Sequence, residues 1–363
     1  MANYLFSVDG EETAEIYYRE TACVYNLDFF DRTDKVSGDP MDRPCTLAFN
    51  IGGDIDLDLT GYTGITGFYW VTAQSAIGGV HLTIGQDFYN GGMGGISAES
   101  LSNEPVVLDA SAVTGRPVYM QALSGGHNVL IGGASSDELG SGAGTDKLYG
   151  GAGADLLGGG NGDDVLYGDA GADRLYGGDG IDIASYFTAS TGVVVNLFAG
   201  TASGGDAQGD SFFGIENLSG SQGNDSLIGD SGRNALQGWN GNDVLIGGRG
   251  NDNLTGGAGA DRFLYIDVVQ SPVGDGADRI ADFSHAQGDK IELWPIDADT
   301  TIAEDQAFSF IGTALYSGVA GQLRYSLTTY GTIIAGDVDG DGTSDFHIRL
   351  SGNLTLVAGD FVL

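Results

Sequence analysis

The chain has 363 residues, of which 64 are glycine, and its 50 acidic residues against 14 basic residues give a formal net charge of −36. Hydrophobic residues make up 41% of the chain and aromatic residues 10%, which excludes a disordered acidic protein, and the length suggests two or three domains. The charge excludes nucleic acid and anionic membranes as attractive partners and favours divalent cations, and without a run of about eighteen apolar residues no membrane-spanning helix is predicted.

The N-terminal part, residues 1–122, is predicted to be a β-rich domain that is partly an irregular β-solenoid. Short alternating apolar runs fill residues 1–50, and a sequence frame that begins at Asp56 occurs again from Leu108. The start of the chain lacks the basic and apolar regions of a secretory signal peptide. Cys23 and Cys45 are compatible with a disulfide and with two buried thiols, and the sequence leaves both open.

A nine-residue repeat, G-G-x-G-x-D-x-U-x with U a large apolar residue, occupies residues 123–264 in two blocks, 123–185 and 220–264. Position eight is apolar throughout, from Leu139 to Phe263. A short strand with one inward apolar side chain cannot bury it alone, so the copies must stack and share a core. A flexible Gly/Asp-rich linker is the alternative, but a linker has no reason to keep this apolar phase.

Position six of the repeat carries the chemistry. A carboxylate there places a hard oxygen ligand at the end of a glycine-rich turn, and calcium accepts such oxygens in loose geometry. Asn234 stands where an aspartate is expected, Ser135 replaces a turn glycine, and Asn128 belongs to a degenerate first copy. The carboxylates predicted to bind metal are Asp137, Asp146, Asp155, Asp164, Asp173, Asp182, Asp225, Asp243, Asp252 and Asp261.

These nonapeptides resemble the RTX, or hemolysin-type, calcium-binding repeats. The resemblance implies a parallel β-roll, an all-β fold in which Ca²⁺ sits between stacked turns and is held by the carboxylates and by main-chain carbonyls of the turns. Roughly eight to ten ions would cancel about half of the net charge. The turn glycines that the resemblance assigns to the metal sites are Gly151, Gly153, Gly160, Gly162, Gly171, Gly178, Gly180, Gly248, Gly250, Gly257 and Gly259.

Residues 186–219 form an insertion between the two blocks of repeats. We expect it to bulge from the roll as a hairpin and to rejoin the core at Ile215 and Leu218. Residues 265–363 contain strand-length alternating segments broken by Gly, Pro and Asp turns, which predicts an antiparallel β cap on the roll. The order of ADRIADF, GDKIEL, GQLRYS and GDVDGDGTSDFHIRL resembles the C-terminal module of serralysin-type secreted metalloproteases.

The serralysin resemblance implies an export signal. Asp360-Phe361-Val362-Leu363 matches the acidic and apolar tag that type I ABC exporters read in that family. The sequence departs from the family at Gln270, where an aspartate is expected ahead of Asp278, so a calcium site there is in doubt. The acidic turn from Asp337 to Asp345 has the carboxylate spacing of a cation loop but lacks the glutamate of an EF-hand, and metal binding there is left open.

We therefore expect a secreted, extracellular or cell-surface calcium-binding protein without enzymatic activity, whose repeats fold on extracellular Ca²⁺ after type I secretion. Its four histidines do not form H-E-x-x-H, and G-x-S-x-G is absent. The alternative is a polysaccharide lyase or epimerase that uses the N-terminal solenoid, with His81 as its candidate base. A third possibility is an adhesin that binds a glycan through Phe68, Tyr69, Trp70 and Tyr89.

Overall fold

The computed structural model describes residues 79–85, 95–101, 103–123 and 125–363 in full, and the backbone of six strands that precede residue 79. The side chains of Cys23 and Cys45 and the aromatic cluster Phe68–Trp70 with Tyr89 lie outside the fully described residues. Over the part of the chain that the structure describes, no helix is long and apolar enough to cross a membrane. The helical segments there are single 3-10 turns at Gly205–Ala207, Val268–Gln270, Gly274–Gly276 and Ala358–Asp360.

The fold is all-β, as predicted, and its strands are short. The first sixteen are β1 (Leu5–Ser7), β2 (Thr13–Arg19), β3 (Ala22–Asn26), β4 (Cys45–Ile51), β5 (Ile55–Leu59), β6 (Phe68–Ser75), β7 (Val80–Gly85), β8 (Gly95–Ser100), β9 (Val106–Ala112), β10 (Tyr119–Ala122), β11 (Val129–Ile131), β12 (Glu138–Gly140), β13 (Lys147–Gly153), β14 (Leu156–Asn161), β15 (Val165–Gly171) and β16 (Arg174–Asp179). The remaining strands are β17 (Ile183–Ser185), β18 (Val194–Asn196), β19 (Thr201–Ser203), β20 (Ser211–Phe213), β21 (Asn217–Ser219), β22 (Ser226–Ile228), β23 (Ala235–Asn240), β24 (Val244–Ile246), β25 (Asn253–Ala258), β26 (Arg262–Leu264), β27 (Asp278–Ile280), β28 (Lys290–Glu292), β29 (Ser309–Phe310), β30 (Gln322–Thr328), β31 (Gly331–Asp337), β32 (Phe346–Leu350) and β33 (Phe361–Val362).

The chain divides into two compact units. Unit 1 is Met1–Asp182 with Asp210–Gly214, and unit 2 is Ile183–Gly209 with Ile215–Leu363. Unit 1 has one sheet in the order β1-β2-β3-β4-β6-β8-β10-β12-β14-β16-β20 and a second in the order β5-β7-β9-β11-β13-β15. After the antiparallel strands β1 to β3, all of its pairings are parallel, and Cys23 and Cys45 are register partners on β3 and β4. The domain boundaries of the sequence analysis stay predictions.

Unit 1 coils because the apolar residue at position eight of each repeat lies in register with an inward apolar residue of the preceding coil, and the same register extends to strands outside the repeats. In the first sheet this column consists of Met120, Leu139, Leu157, Leu175 and Phe212. In the second sheet it consists of Leu82, Leu108, Leu130, Leu148 and Leu166. All ten side chains are buried. The columns run without a break from β7 and β8 into the nonapeptides, and His81 lies on the exposed face of β7.

Removing a buried side chain from this column should lower the free energy of unfolding. Leu157 is fully buried between Leu139 and Leu175, whereas its neighbour Leu156 is only partly buried. We expect Leu157→Ala to lower the free energy of unfolding of the calcium-loaded chain by about 2–5 kcal/mol, measured by urea denaturation. Leu156→Ala is the matched control and should cost less than about 1 kcal/mol; equal losses in both variants would contradict this account of the core.

Unit 2 has the same construction. One series of its hydrogen-bonded strands has the order β17-β21-β23-β25-β27-β32-β31-β30-β29, and a second series has the order β19-β18-β22-β24-β26-β28-β33. The inward columns consist of Leu218, Leu236, Leu254, Ile280 and Leu350, and of Val195, Leu227, Leu245, Phe263, Ile291 and Phe361. Strands β30, β31 and β32 pair antiparallel, so the predicted antiparallel cap is confirmed.

The insertion between the repeat blocks differs from the predicted bulge. It contains the expected antiparallel hairpin, β18 with β19, but β18 also pairs in parallel with β22. The reason is burial: Val193 and Val195 are fully buried, so β18 is a rung of the sheet. Ile215 and Leu218 return to the core as predicted.

Candidate calcium-binding loops

Each aspartate at position six lies directly before a repeat strand, and its side chain points into the coil. Each is at most 3% exposed although it carries a carboxylate, and this group comprises Asp137, Asp146, Asp155, Asp164, Asp173, Asp182, Asp225, Asp243, Asp252 and Asp261. Buried carboxylates are costly unless they are paired, hydrogen-bonded or bound to metal. Their surroundings therefore decide what the loops can do.

One oxygen of each carboxylate is used by the fold itself. The backbone N–H of Asp146 donates to Oδ1 of Asp164 at 2.8 Å, and the N–H of Asp164 donates to Oδ1 of Asp182 at 2.8 Å. The same bond recurs every 18 residues, for example from Asp155 to Asp173 and from Asp225 to Asp243. These bonds make a ladder along each edge of the coil, and they hold each carboxylate in a fixed orientation.

The second oxygen of most of these carboxylates has no hydrogen-bond partner although it is buried. The atoms concerned are Oδ2 of Asp146, Asp155, Asp164, Asp173, Asp243, Asp252 and Asp261. A buried acceptor left without a partner costs about 1–3 kcal/mol, and more when it is charged. Such a repeated cost points to a cation as the missing partner.

Main-chain oxygens converge on the same places. In the loop that ends at Asp164, Gly160 and Gly162 have φ of +104° and +116°, a conformation that other residues resist. A Cβ on Gly159 would lie 2.7 Å from the carbonyl oxygen of Gly177 and would also touch Oδ2 of Asp164. Carboxylate and carbonyl oxygens thus line one small space that a side chain would fill. This donor set fits calcium, which prefers six to eight oxygens of both kinds.

The electrostatics agree with this fit. The pKa of Asp164 is raised to about 7: burial is the largest cause, the N–H of Asp146 lowers the pKa, and the carboxylates of Asp146 and Asp182 raise it. Burial is also the largest cause that raises the pKa of Asp173 to about 8 and the pKa of Asp155 to about 6. Ionised, these groups therefore oppose folding in the absence of a cation.

The raised values give a pH dependence with a defined sign. The folded-state pKa values of about 6–8 exceed the ordinary value of about 4, so the stabilising effect of protonation is complete below about pH 4 and is lost as the pH rises through 6–8. For the chain freed of metal by dialysis, we expect the urea midpoint to fall between pH 5 and pH 8. A midpoint that is constant or rises over this interval would contradict the assignment. With saturating Ca²⁺ the fall should disappear.

Three loops of the repeat blocks are built differently. In each, the backbone N–H of position two turns inward and donates to the side chain at position six, which leaves no oxygen free for a cation. The donor and acceptor pairs are Gly133 to Asp137 (2.6 Å), Ser221 to Asp225 (2.7 Å) and Asp230 to Asn234 (2.8 Å). Asp137 and Asp225, predicted as ligands with the others, therefore do not share their arrangement. The departures at Ser135 and Asn234 lie in two of these three loops.

Backbone conformation separates the two kinds of loop. In the three self-bonded loops, all within the described residues, neither position two nor position four has a positive φ. In the other loops, positive φ at one or both positions is found at Gly144, Gly151, Gly153, Gly160, Gly162, Asp169, Gly178, Gly180, Trp239, Gly241, Gly248, Gly250, Gly257 and Gly259. Every turn glycine predicted to line a metal site is among them except Gly171, whose loop has its positive φ at Asp169 instead.

Sequence reasoning missed three members of the ladder, which are Asp278 and the acceptors of the N–H groups of Asp173 and Asp261, Asp210 and Asp289. The N–H of Asp252 donates to Oδ1 of Asp278 at 2.9 Å, and Oδ2 of Asp278 is buried without a partner. Burial raises the pKa of Asp278 to about 8. The step here is 26 residues instead of 18, so the nine-residue period could not reveal it. Gln270, where the serralysin resemblance expects an aspartate, accepts the N–H of Ile266 instead.

The acidic turn between β31 and β32 is arranged differently from the repeat loops. The carboxylates of Asp337, Asp339 and Asp345 offer oxygens within 4.8 Å of one another. Those of Asp337 accept the N–H groups of Gly340 and Gly342, however, and the loop is held by its own hydrogen bonds. The sequence leaves metal binding by this turn open, and the hydrogen bonds within the loop do not require a metal ion.

Stacked parallel rungs with inward aspartates and oxygen-lined glycine turns define a calcium-binding nonapeptide roll. The RTX calcium-binding nonapeptide repeat family matches the chain in four copies, over residues 124–157, 149–184, 211–245 and 237–264. Residues 124–184 and 211–264 are therefore RTX repeats, which bind calcium ions. The match ends at residue 264, so the serralysin-like module stays a prediction.

Among solved structures, the chain is similar to the AlgE6R3 subunit from the Azotobacter vinelandii mannuronan C5-epimerase, determined in solution. The identity is 32%, the similarity covers 40% of this chain and 77% of that chain, and the TM-score is 0.30. No curated protein matches the chain.

Proposed function

We propose that this protein is a secreted calcium-binding protein whose repeats fold when they meet extracellular Ca²⁺. The observation that supports this most strongly is the row of buried Oδ2 atoms without hydrogen-bond partners in the repeat loops. A bound calcium ion is the positively charged partner that these oxygens lack. The residues that would hold it are Asp146, Asp155, Asp164, Asp173, Asp243, Asp252 and Asp261, with the carbonyls of their turns.

The calcium concentration outside and inside a cell then decides the state of the chain. Extracellular modules of this kind bind Ca²⁺ with Kd of about 10⁻⁴–10⁻³ M, which cytosolic calcium does not reach. In the cytosol the carboxylates repel one another and the repeats stay unfolded, as passage through a type I ABC exporter requires. Outside the cell, binding free energy becomes folding free energy.

Export is tested with the full chain in cells that do or do not carry a type I exporter and its membrane-fusion partner. We expect the chain in the medium only when the exporter is present. In medium with millimolar Ca²⁺, residues 124–264 should resist protease, and in medium with a chelator they should be cut. Retention in exporter-bearing cells would contradict export, and equal protease resistance in both media would contradict calcium-dependent folding.

We propose further that the chain has no catalytic activity of its own and acts through binding, at a surface or in an extracellular matrix. The alternative of a polysaccharide lyase or epimerase is tested by turnover of alginate and pectate with the calcium-loaded chain and its His81→Ala variant. Turnover that the variant loses would overturn the non-enzymatic proposal. A glycan or cell-surface ligand is the partner that a binding role requires.

A further inference from the structure

The outer face of the first sheet in unit 1 carries a column formed by position nine of the repeats and by its register partners outside the repeats. Successive register partners in this column are Gln121, Gly140, Gly158, Tyr176 and Phe213. Neighbouring members are one strand apart, about 4.8 Å. Aromatic rings therefore fill one end of the column, and two adjacent places carry no side chain.

The two aromatic rings stack on each other along the column. The centroids of Tyr176 and Phe213 are 4.6 Å apart and the ring planes differ by 10°. The centroid spacing is close to the strand spacing and the ring planes are nearly parallel, so the ring faces look along the column. One face of Tyr176 is covered by Phe213, and the other looks toward Gly158. The two side chains are 40% and 50% exposed, which is high for large apolar groups.

Nothing in the fold requires glycine at the two empty places. A Cβ on Gly140 would meet no atom within 4 Å, and a Cβ on Gly158 would meet only the carbonyl oxygen of Leu139, at 3.9 Å. Neither residue has a positive φ. Glycine inside a strand costs about 0.5–1 kcal/mol relative to alanine and often marks a place where a ligand approaches the backbone. Gly140 and Gly158 therefore lower the stability of their strands, and neither the space around them nor their backbone conformation requires glycine.

The other sheet of unit 1 shows the same column without open places. There Ile131, Tyr149 and Tyr167 are consecutive register partners, and the two tyrosines stack at 4.5 Å and 9°. The open places over Gly140 and Gly158 are thus specific to one face. They form a slot about 10 Å long, between the free ring face of Tyr176 and the side chain of Gln121.

Polar groups accompany the slot at position seven of the same strands. Glu138 and Arg174 are exposed there, and Leu156 between them is partly buried. A flat apolar surface with a few polar groups at its margin is the usual composition of a small-molecule site. The negative face of an aromatic ring attracts the weakly positive C–H groups of a sugar ring, and hydroxyl groups suit both a carboxylate and a guanidinium.

We infer that this face binds a neutral saccharide, with one sugar ring stacked on Tyr176 above Gly158 and the chain continuing over Gly140. The net charge of −36 opposes anionic ligands such as nucleotides and uronans, and it opposes a second copy of this chain. A neutral saccharide avoids this repulsion and uses both the ring face and the polar margin. This inference is independent of the route by which the protein is secreted.

The test uses the full calcium-loaded chain and isothermal titration with neutral hexasaccharides of glucose, β-1,4-, β-1,3- and α-1,4-linked, and with an alginate hexasaccharide as the anionic arm. We expect at least one neutral hexasaccharide to bind and the alginate hexasaccharide to bind more weakly. Gly158→Tyr should weaken the neutral interaction about tenfold or more because the new ring takes the stacking place. Its melting temperature should be unchanged or higher, because a Cβ at this place meets only the carbonyl oxygen of Leu139, at 3.9 Å.

Two further variants separate the slot from general effects. Tyr176→Leu should also lose binding, and Tyr167→Leu, which removes the matching stack on the other sheet, should keep it. The inference is overturned if no neutral hexasaccharide binds at about 1 mM, if Gly158→Tyr binds as well as the parent chain, or if alginate binds best. It is equally overturned if sedimentation shows a dimer that Gly158→Tyr dissociates, since a second copy would then be the occupant.

Discussion

Stripping calcium from the full chain at pH 8 is expected to abolish the ordered β structure of residues 124–264. Each loop with a buried, partnerless carboxylate oxygen should bind about one ion, and at least seven nonapeptide loops have such an oxygen. At a free Ca²⁺ concentration tenfold above Kd, each site contributes about 1.4 kcal/mol. The sum is about 10 kcal/mol, which equals the whole stability of an ordinary domain.

The measurement is circular dichroism and urea denaturation of the metal-stripped chain during a Ca²⁺ titration. We expect β structure to rise from a largely unfolded baseline, with a midpoint near 10⁻⁴–10⁻³ M. Mg²⁺ at the same concentration is the control and should not replace Ca²⁺, because it demands a smaller octahedral site. A stripped chain that is fully ordered, with a melting temperature that Ca²⁺ leaves unchanged, would contradict the assignment.

Asp164→Asn is expected to have opposite effects with and without calcium. The amide keeps an oxygen that accepts the N–H of Asp146 but removes the charge. In saturating Ca²⁺ the variant should lose about 1.4 kcal/mol or more of stability, the contribution of one site. In the metal-free chain at pH 6, where ordered structure remains, it should be as stable as the parent or more so, because burial raises the pKa of Asp164 and ionisation therefore favours the unfolded state.

Asp137→Asn is the contrasting variant, because both oxygens of Asp137 already accept N–H groups, from Val118 and Gly133. Its loss of about 1 kcal/mol should be the same with and without calcium. Asp275→Asn lies at an exposed site outside the ladder. It should change the free energy of unfolding by no more than about 0.5 kcal/mol, with or without calcium. If Asp164→Asn and Asp137→Asn respond to calcium alike, the division into two kinds of loop is wrong.

The fold of the repeat region could be predicted from the sequence because both its apolar position and its nine-residue spacing are regular. The apolar residue at position eight, such as Leu157, fixes which side chain is inward, and the nine-residue spacing fixes the parallel register. The role of residues 186–219 could not be read in the same way. Val193 and Val195 continue an inward column, but they lie in a segment without the repeat, so only the pairing of β18 with β22 reveals it.

The site could be predicted in outline and not loop by loop. An aspartate at position six is shared by both kinds of loop, and the difference lies in whether the N–H of position two turns toward it. Glycine at positions two and four is a useful signal for this, but Asp169 and Trp239 adopt a positive φ at position two all the same. A sequence pattern reports which conformations a residue tolerates, whereas the neighbouring coil determines which one it adopts.

The ladder of N–H groups onto carboxylates has a consequence for how calcium is taken up. The carboxylate of Asp173 accepts the N–H of Asp155, and the N–H of Asp173 is in turn donated to Asp210. Immobilising one loop therefore pre-positions the ligand of the next. Loading should be steep and nearly all-or-none, with a Hill coefficient well above one, and damage to a middle rung should flatten the whole curve instead of subtracting a single ion.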